Sequence, residues 1–583
     1  MKLKCYLNLI AGLLVAGCFS ACDSLLNMAP EDTLSPDTYF ANETQLELWT
    51  NQFYSQFDAA DDAALTEAED VVDTNLGSLL MGQRMASNET GWSWTMLRKI
   101  NYYLQNSFHC SSESVRSKYD GVAYFMRAYF YYIKVRRYGD VPWYNQVLNS
   151  DDDEYLFQAR DDRGLVMDSI MSDLDKAINM LPTTKDNLHV TKWTALAFKS
   201  RAALYEGTYR KYRNMPNADK YLKQAVESAE NFIDNGGYKL YTIGSTPYRD
   251  MFNSIDVVDQ EVILTRKYGT AANVMHSIQF NIINQRQGLS KRMMNHYLMA
   301  DGSRFTEQEG WETMEYVDEV KNRDPRLAQT VLCPGYVQVG NTEISTNDLT
   351  SITGYRPIKF VNASAYDGSL KAYTDFPLFR TPEVYLNFAE AKAELGTLTQ
   401  SDLDKSVNVI RARAKMPSLS MADANAHPDA LLKEYYPNVT VSDNTGIILE
   451  IRRERAVELI MEGFHLWDMF RWKEGQQFTK PFYGCYFPGP GEYDMDGDGI
   501  TNGKNDLLLY IDSKGSFKGT AKKIGTEVIL SEGDKGYLWV HSNITVSWDE
   551  NRDYLWPIPA DERVLTGGAL TQNPGWTDST NFD

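Results

Sequence analysis

The chain has 583 residues, 43% hydrophobic and 23% charged, with 58 Lys and Arg against 79 Asp and Glu for a net charge of −21. This composition excludes intrinsic disorder, and beyond the extreme N-terminus no apolar run reaches the ~20 residues of a membrane helix. So acidic a surface repels polyanions and argues against nucleic acid as a partner, while 36 Tyr and 12 Trp supply flat apolar faces with polar tips that suit sugars, peptides or proteins.

Residues 1–21 read as an export signal: Lys2 and Lys4 form a positive start and residues 7–15 a short apolar stretch. Two segments, Val15-Ala16-Gly17-Cys18 and Phe19-Ser20-Ala21-Cys22, resemble a bacterial lipobox, in which small residues precede an acylated Cys. Cys22 is the preferred lipidation site because it stands directly before a polar, Pro-containing tether at 22–40; Cys18 is the alternative. The remaining cysteines, Cys110, Cys333 and Cys485, are too few and too dispersed for a disulfide framework or a Cys-x-x-Cys zinc site, and are expected to be buried thiols.

Over residues 41–235 the apolar spacing is helical and comes in pairs. Residues 94–104 pair with 122–138, residues 168–181 pair with 192–209, and 222–232 begins a third pair. Ala195, Ala197, Ala202 and Ala203 mark a close helix crossing of tetratricopeptide type. Residues 236–377 lose this periodicity to short strand-like runs at 261–266 and 355–361, so this stretch is read as an irregular ligand-binding insertion. The helical pattern returns over 378–476, at 382–395 and 403–414. An irregular C-terminal region, 477–583, contains an Asp-rich loop. The predicted fold is mainly α: a tetratricopeptide-like scaffold of helical hairpins with long irregular, partly β insertions, forming one compact domain over 22–583.

Several phrases then coincide with one family. Residues 125–130 (Phe-Met-Arg-Ala-Tyr-Phe) lead to Tyr138-Gly139-Asp140-Val141-Pro142; Asp324-Pro325-Arg326-Leu327 follows, then residues 380–391. Arg452-Arg453-Glu454-Arg455 precedes residues 462–472 (Glu-Gly-Phe-His-Leu-Trp-Asp-Met-Phe-Arg-Trp), and Pro557-Ile558-Pro559 and residues 571–575 close the chain. In order and spread these phrases resemble the SusD/RagB outer-membrane proteins of Bacteroidetes-type bacteria. The resemblance implies a lipid-anchored, non-enzymatic protein on the cell exterior that captures a glycan and delivers it to a TonB-dependent outer-membrane transporter. A peptide-binding role in nutrient uptake is the alternative, and a surface glycosidase a more distant one.

The residues themselves suggest little catalytic chemistry. Glu450, Glu454, Glu458 and Glu462 recur every four residues with Arg452, Arg453 and Arg455 close by, which suits either an ion-pair lock or a solvated charged face. Glu462-x-x-His465 has di-iron spacing but no second copy, and His-Glu-x-x-His and Gly-x-Ser-x-Gly are absent. No organic cofactor is expected. Asp494-x-Asp496-x-Asp498-Gly499-Ile500 presents oxygen ligands in the order of a calcium loop, with the Ile500 carbonyl at position seven; position twelve is Asn505, followed by Asp506. Candidate sugar-stacking aromatics are Trp92, Tyr268, Tyr297, Trp311 and Tyr316, with Asn101, Asn295 and Asp301 as polar companions; Trp94, in helical register with Leu97, is expected in the core.

Overall fold

Helix α1 (Glu43–Asn51) starts at Asn42, whose side chain accepts a hydrogen bond from the Gln45 N–H and satisfies one of the free amides of the first turn. In this computed structural model the described residues are 39–64, 68–149, 151–271, 273–500, 506–578 and 580. Cys18 and Cys22, with the leader and most of the tether, lie outside them.

Helices α2 (Thr95–Asn106), α3 (Glu113–Tyr138), α4 (Arg163–Met180), α5 (Lys192–Lys211) and α6 (Ala218–Asn235) pack in succession. The four alanines of α5 are fully buried. Gly207 sets the α5–α6 distance, because a Cβ there would lie 2.7 Å from the Leu222 side chain. The tetratricopeptide-like pairing read from the sequence is thus present, with α3 and α4 starting earlier than expected.

After α6, β1 (Val262–Arg266) pairs antiparallel with β2 (Phe376–Arg380), so the two ends of the irregular middle are brought side by side. Residues 355–361 are not a strand: they contain a single bridge, Pro357 to Val331. Strand β2 runs into α7 (Thr381–Glu394), which places Pro382 in its first turn, where no amide is needed. The helix expected at 403–414 breaks at Ser406 (φ −134°, ψ −90°), leaving α8 (Val407–Arg413). Helices α9 (Thr445–Glu458) and α10 (His465–Arg471) complete the helical part. The C-terminal region holds β3 (Phe482–Phe487), β4 (Gly491–Tyr493), β5 (Leu507–Tyr510), β6 (Thr520–Lys523) and β7 (Gly536–Val540). β3 pairs antiparallel with β7, and β4, β5 and β6 form a small mixed sheet.

Among the described residues three large apolar cores result: within the N-terminal helices, beneath the irregular middle and C-terminal strands, and among α7 to α10. Leu378, Ile233, Trp467 and Trp556 each pack against two of them. Cys110, Cys333 and Cys485 are buried free thiols, and burial pushes the Cys333 thiol up to about 12.

The charged phrases of the sequence are interior. Glu454 meets Arg326 and Arg411, Glu458 meets Arg326, Arg380 and Arg413, and Arg455 pairs with Asp468 at 2.6 Å. All are buried. This is the ion-pair lock rather than the solvated face. Glu462 belongs to the lock but not to the helix: α9 ends at Glu458, Met461 takes a positive φ of 60°, and the Glu462 carboxylate reaches Arg380 and Lys359.

Candidate functional site

Pairing of β3 with β7 puts Tyr483 and Tyr537 face to face, with ring centroids 5.3 Å apart and planes 25° from parallel. Opposite them, the loop after Gly310 supplies Trp311, and the helix Ala430–Tyr435 supplies Tyr435. Together they wall a groove of ≈ 700 Å³, within the usual range of ligand pockets. All four rings are partly exposed. The Tyr537 hydroxyl donates to the Glu312 carbonyl, tying the two walls. Trp311 is held edge-on against Phe305, centroids 6.1 Å apart.

The polar groups come from the helical turn Lys291–Met294 and from chain-distant residues. Arg292 lies 4.1 Å over the Tyr435 ring, donates to Gln477 Oε1 at 2.9 Å, and donates to the Tyr435 carbonyl at 2.8 Å. Asn295 donates through Nδ2 to the Tyr435 hydroxyl at 3.0 Å. Glu69 lies at the base, its Oε1 2.7 Å from His465 Nε2. Burial alone would neutralise both groups, but each charge holds the other: His465 is raised to about 9 by Glu69 and Asp70, and Glu69 is held below the usual carboxylate range by His465 and Arg292. Burial keeps neighbouring Asp70 up at about 6.

Of the aromatics singled out from the sequence, Trp311 lines this groove, as does Asn295. Tyr268, Tyr297 and Tyr316 do not offer a face to solvent, and their expected place at a ligand surface is corrected. Tyr297 is fully buried, the Tyr316 hydroxyl donates to the Leu332 carbonyl, and the Tyr268 hydroxyl accepts from the Ala60 N–H at 3.0 Å, with its ring edge-on to His276. Trp92 and Trp94 are reversed in burial. Trp92 is 5% exposed, wedged between Trp94 and Tyr138, Trp94 is half-buried, and both line a second cleft of ≈ 390 Å³. Asn101 is occupied by the Tyr144 and Gln146 carbonyls, each at 3.0 Å, and Asp301 caps its own turn at Ser303 in a separate cleft. Sequence reasoning missed Tyr435, Tyr483, Tyr537, Arg292 and Glu69. The period-two alternation at 536–538 was the available signal for Tyr537; at 482–487 a register shift between Tyr483 and Tyr486 breaks the alternation and hid Tyr483.

A model of the SusD family matches residues 260–576. The chain belongs to the SusD family. A second model, described as starch-binding associating with outer membrane, matches residues 42–204. SusD-like protein P38 of Formosa agariphila is 21% identical over 516 residues, spanning 81% of this SusD-family chain and 92% of that protein. SusD-like protein P2 of the same organism is 23% identical over 477 residues, spanning 78% and 73%. Among solved structures, a SusD-like protein of Bacteroides fragilis superposes with a TM-score of 0.68 at 21% identity, covering 94% of this chain and 100% of that one. A SusD-like carbohydrate binding protein of the same species gives 0.67 at 17% identity, covering 91% and 99%. A structure with xylogluco-oligosaccharide gives 0.59 at 17% identity, covering 92% and 100%. At these identities the likenesses establish the SusD fold.

The SusD-family chain also carries the Asp-rich loop. Asp494, Asp498 and Asp506 bring carboxylate oxygens within 4.8 Å of one another. Asp496 is turned differently from expectation: its Oδ1 accepts from the Asp498 N–H, whereas Asp494 accepts from the amides of Asp496, Gly497 and Gly499. Ile500 is described and exposed; Asn505 lies outside the described residues, and Asp506 stands where the sequence reading placed position thirteen. Local desolvation and the carboxylates of Asp496, Asp494 and Asp506 hold the Asp498 carboxyl above its ordinary range. Glu462 and His465 do not share a ligand: Glu462 faces Arg380 and Lys359, and His465 faces Glu69.

Proposed function

We propose that this chain is a cell-surface oligosaccharide-binding lipoprotein that delivers its ligand to a TonB-dependent outer-membrane transporter without turning it over. The observation that carries this reading is the groove of four partly exposed aromatic rings around Asn295 and Arg292. The C–H face of a pyranose packs on such rings while amide and guanidinium groups bind its hydroxyls. The described starch-binding role of the matching family model and the neighbour with xylogluco-oligosaccharide support a glycan. Trp311→Ala is expected to weaken binding to the recognised polysaccharide about tenfold, the equivalent of ~1.4 kcal/mol, at unchanged melting temperature. Affinity gel electrophoresis across a polysaccharide panel measures this, and release of shortened saccharides from the bound polymer would contradict a non-enzymatic role. A peptide ligand would instead show as retention on peptide arrays with no glycan retained.

Anchoring is assigned to Cys22, with Cys18 as the alternative, and among the described residues no helix is long and apolar enough to cross a membrane. Cys22→Ala is expected to shift the protein from the membrane to the soluble fraction. Mass spectrometry of an acylated N-terminus at Cys18 would transfer the assignment.

The Asp494, Asp498 and Asp506 carboxylates are proposed to hold calcium, since three acidic groups this close repel one another without a cation. Calorimetric titration of chelator-treated protein with calcium should give a saturable signal that Asp498→Asn removes. A flat titration would make the loop a turn alone.

A further inference from the structure

Glu69 and Asn295, distant in the chain, both line the groove, and each is 5% exposed. Among the described residues, neither Glu69 Oε2 nor Asn295 Oδ1 has a hydrogen-bond partner, although both side chains line the groove. Buried acceptors are ordinarily paired, so two of them in one ligand-sized groove point to a ligand that brings donors.

Lys291, Arg292 and His465, around the floor, are committed. Lys291 Nζ is 2.8 Å from the buried Glu319 carboxylate, Arg292 donates to Gln477 and to the Tyr435 carbonyl, and His465 holds the other oxygen of Glu69. Lys480 is exposed among the lining residues, as are Glu312 and Glu434. An anionic substituent reaching the floor would bring acceptors against the unpartnered Glu69 Oε2 acceptor, with Lys291, Arg292 and His465 already engaged. At longer range it would meet a chain of net charge −21. A cation gains little in its place, because the His465 imidazolium neutralises Glu69 as a pair. Hydroxyl groups suit the floor on both counts: they donate, and they carry no charge.

We propose that the floor of the groove selects uncharged sugar rings that donate hydroxyls to Glu69 and Asn295, and that Glu69 is the specificity-determining residue against uronate and sulfate groups. This rests on the reading of the groove as the glycan site. Replacing Glu69 with Gln removes the negative charge and one strong acceptor while keeping a side chain able to bond His465.

The test is affinity gel electrophoresis of wild type, Glu69→Gln, Asn295→Ala and Trp311→Ala in gels containing xyloglucan, glucomannan and starch as neutral probes, and polygalacturonate and alginate as anionic ones. Melting temperatures identify any variant that fails to fold; Asn295→Ala carries the argument should Glu69→Gln be lost. Wild type is expected to be retarded by a neutral polymer and by neither anionic one, with Glu69→Gln and Asn295→Ala each weakening that retardation about tenfold or more. Tighter binding of wild type to an anionic polymer, or unchanged binding by both floor variants while Trp311→Ala abolishes it, overturns the selection and leaves the groove as the glycan site. Full binding by Trp311→Ala, or no retardation by any polymer, overturns the groove reading and this inference with it.

Discussion

Glu458→Gln is expected to destabilise the protein by about 3–5 kcal/mol, seen as a large drop in the urea concentration of half-unfolding. The Glu458 carboxylate is fully buried and accepts from three guanidiniums: Arg380 at 2.6 Å, Arg326 at 3.1 Å, and Arg413. Burial opposes its ionisation, but Arg413, Arg380 and Arg326 outweigh that and hold it well below its ordinary value of 4.5. Removing its charge leaves those three cations, together with Arg411 and Lys359, sharing the four carboxylates of Glu261, Glu454, Glu462 and Asp324 in the interior. The cost is chiefly that of uncompensated buried charge. The pH sign follows from the depressed value. The stability from this group is present above the unfolded carboxylate range near 4.5 and is lost as pH falls below it toward the folded value. Wild type and Glu458→Gln should therefore converge in stability at acid pH. Coincident urea midpoints at neutral pH would make the cluster energetically neutral.

This lock explains how the scaffold holds its irregular parts. Arg326 comes from the middle region, Arg380 from the end of β2, Arg413 from α8 and Glu458 from α9. Four segments that share little periodic packing are thus fixed at one point. The partners lie 45 to 132 residues apart along the chain. Apolar side chains, with the buried pairs Arg127–Asp173 and Arg163–Glu206 among them, fix α3 to α6, whereas charge predominates where the middle meets the C-terminal helices.

What the sequence made legible follows the same division. The α5 crossing could be read from four alanines because helix packing leaves a local periodic trace. Trp311 could be singled out because Gly310 and Glu312 flank it, and the structure leaves its ring partly exposed. The same reasoning failed for Tyr297 and Tyr316, since an irregular backbone also has an inner face and carries no periodicity to mark it. Trp92 and Trp94 were inverted for a related reason: Trp94 precedes α2 as its N-cap, so its register with Leu97 does not bury it. Glu69 was invisible. It sits in the acidic run Glu67-Ala68-Glu69-Asp70, which reads as solvated, and its burial depends on His465, 396 residues away.

That distant pair sets the second large effect. His465 Nε2 is 2.7 Å from Glu69 Oε1, with Asp70 and Asp468 as further anionic neighbours and Arg292 as a cationic one, while burial and Arg453 hold the nearby His296 well below the ordinary imidazole range. Burial lowers the imidazole, Glu69 and then Asp70 raise it more strongly, and the result is about 9 against an ordinary 6.5. At about 1.4 kcal/mol per pKa unit the charged state of His465 contributes ~3 kcal/mol. Because the folded value lies above the unfolded one, this stability is fully present below pH 6.5 and is lost as pH rises through about 9. Lys134 and Lys359, lowered chiefly by burial to about 7 and about 8, favour the folded state as pH rises over the same window, so the wild-type curve alone would mask the effect. The difference between wild type and His465→Gln removes their contribution. It should shrink steadily as pH rises from 6.5 to 9, measured by urea unfolding at each pH. A difference independent of pH would mean that His465 is neutral in the folded protein, joined to Glu69 by an ordinary hydrogen bond. The base of the groove would then carry an uncompensated carboxylate, and cationic rather than neutral ligands would be favoured there.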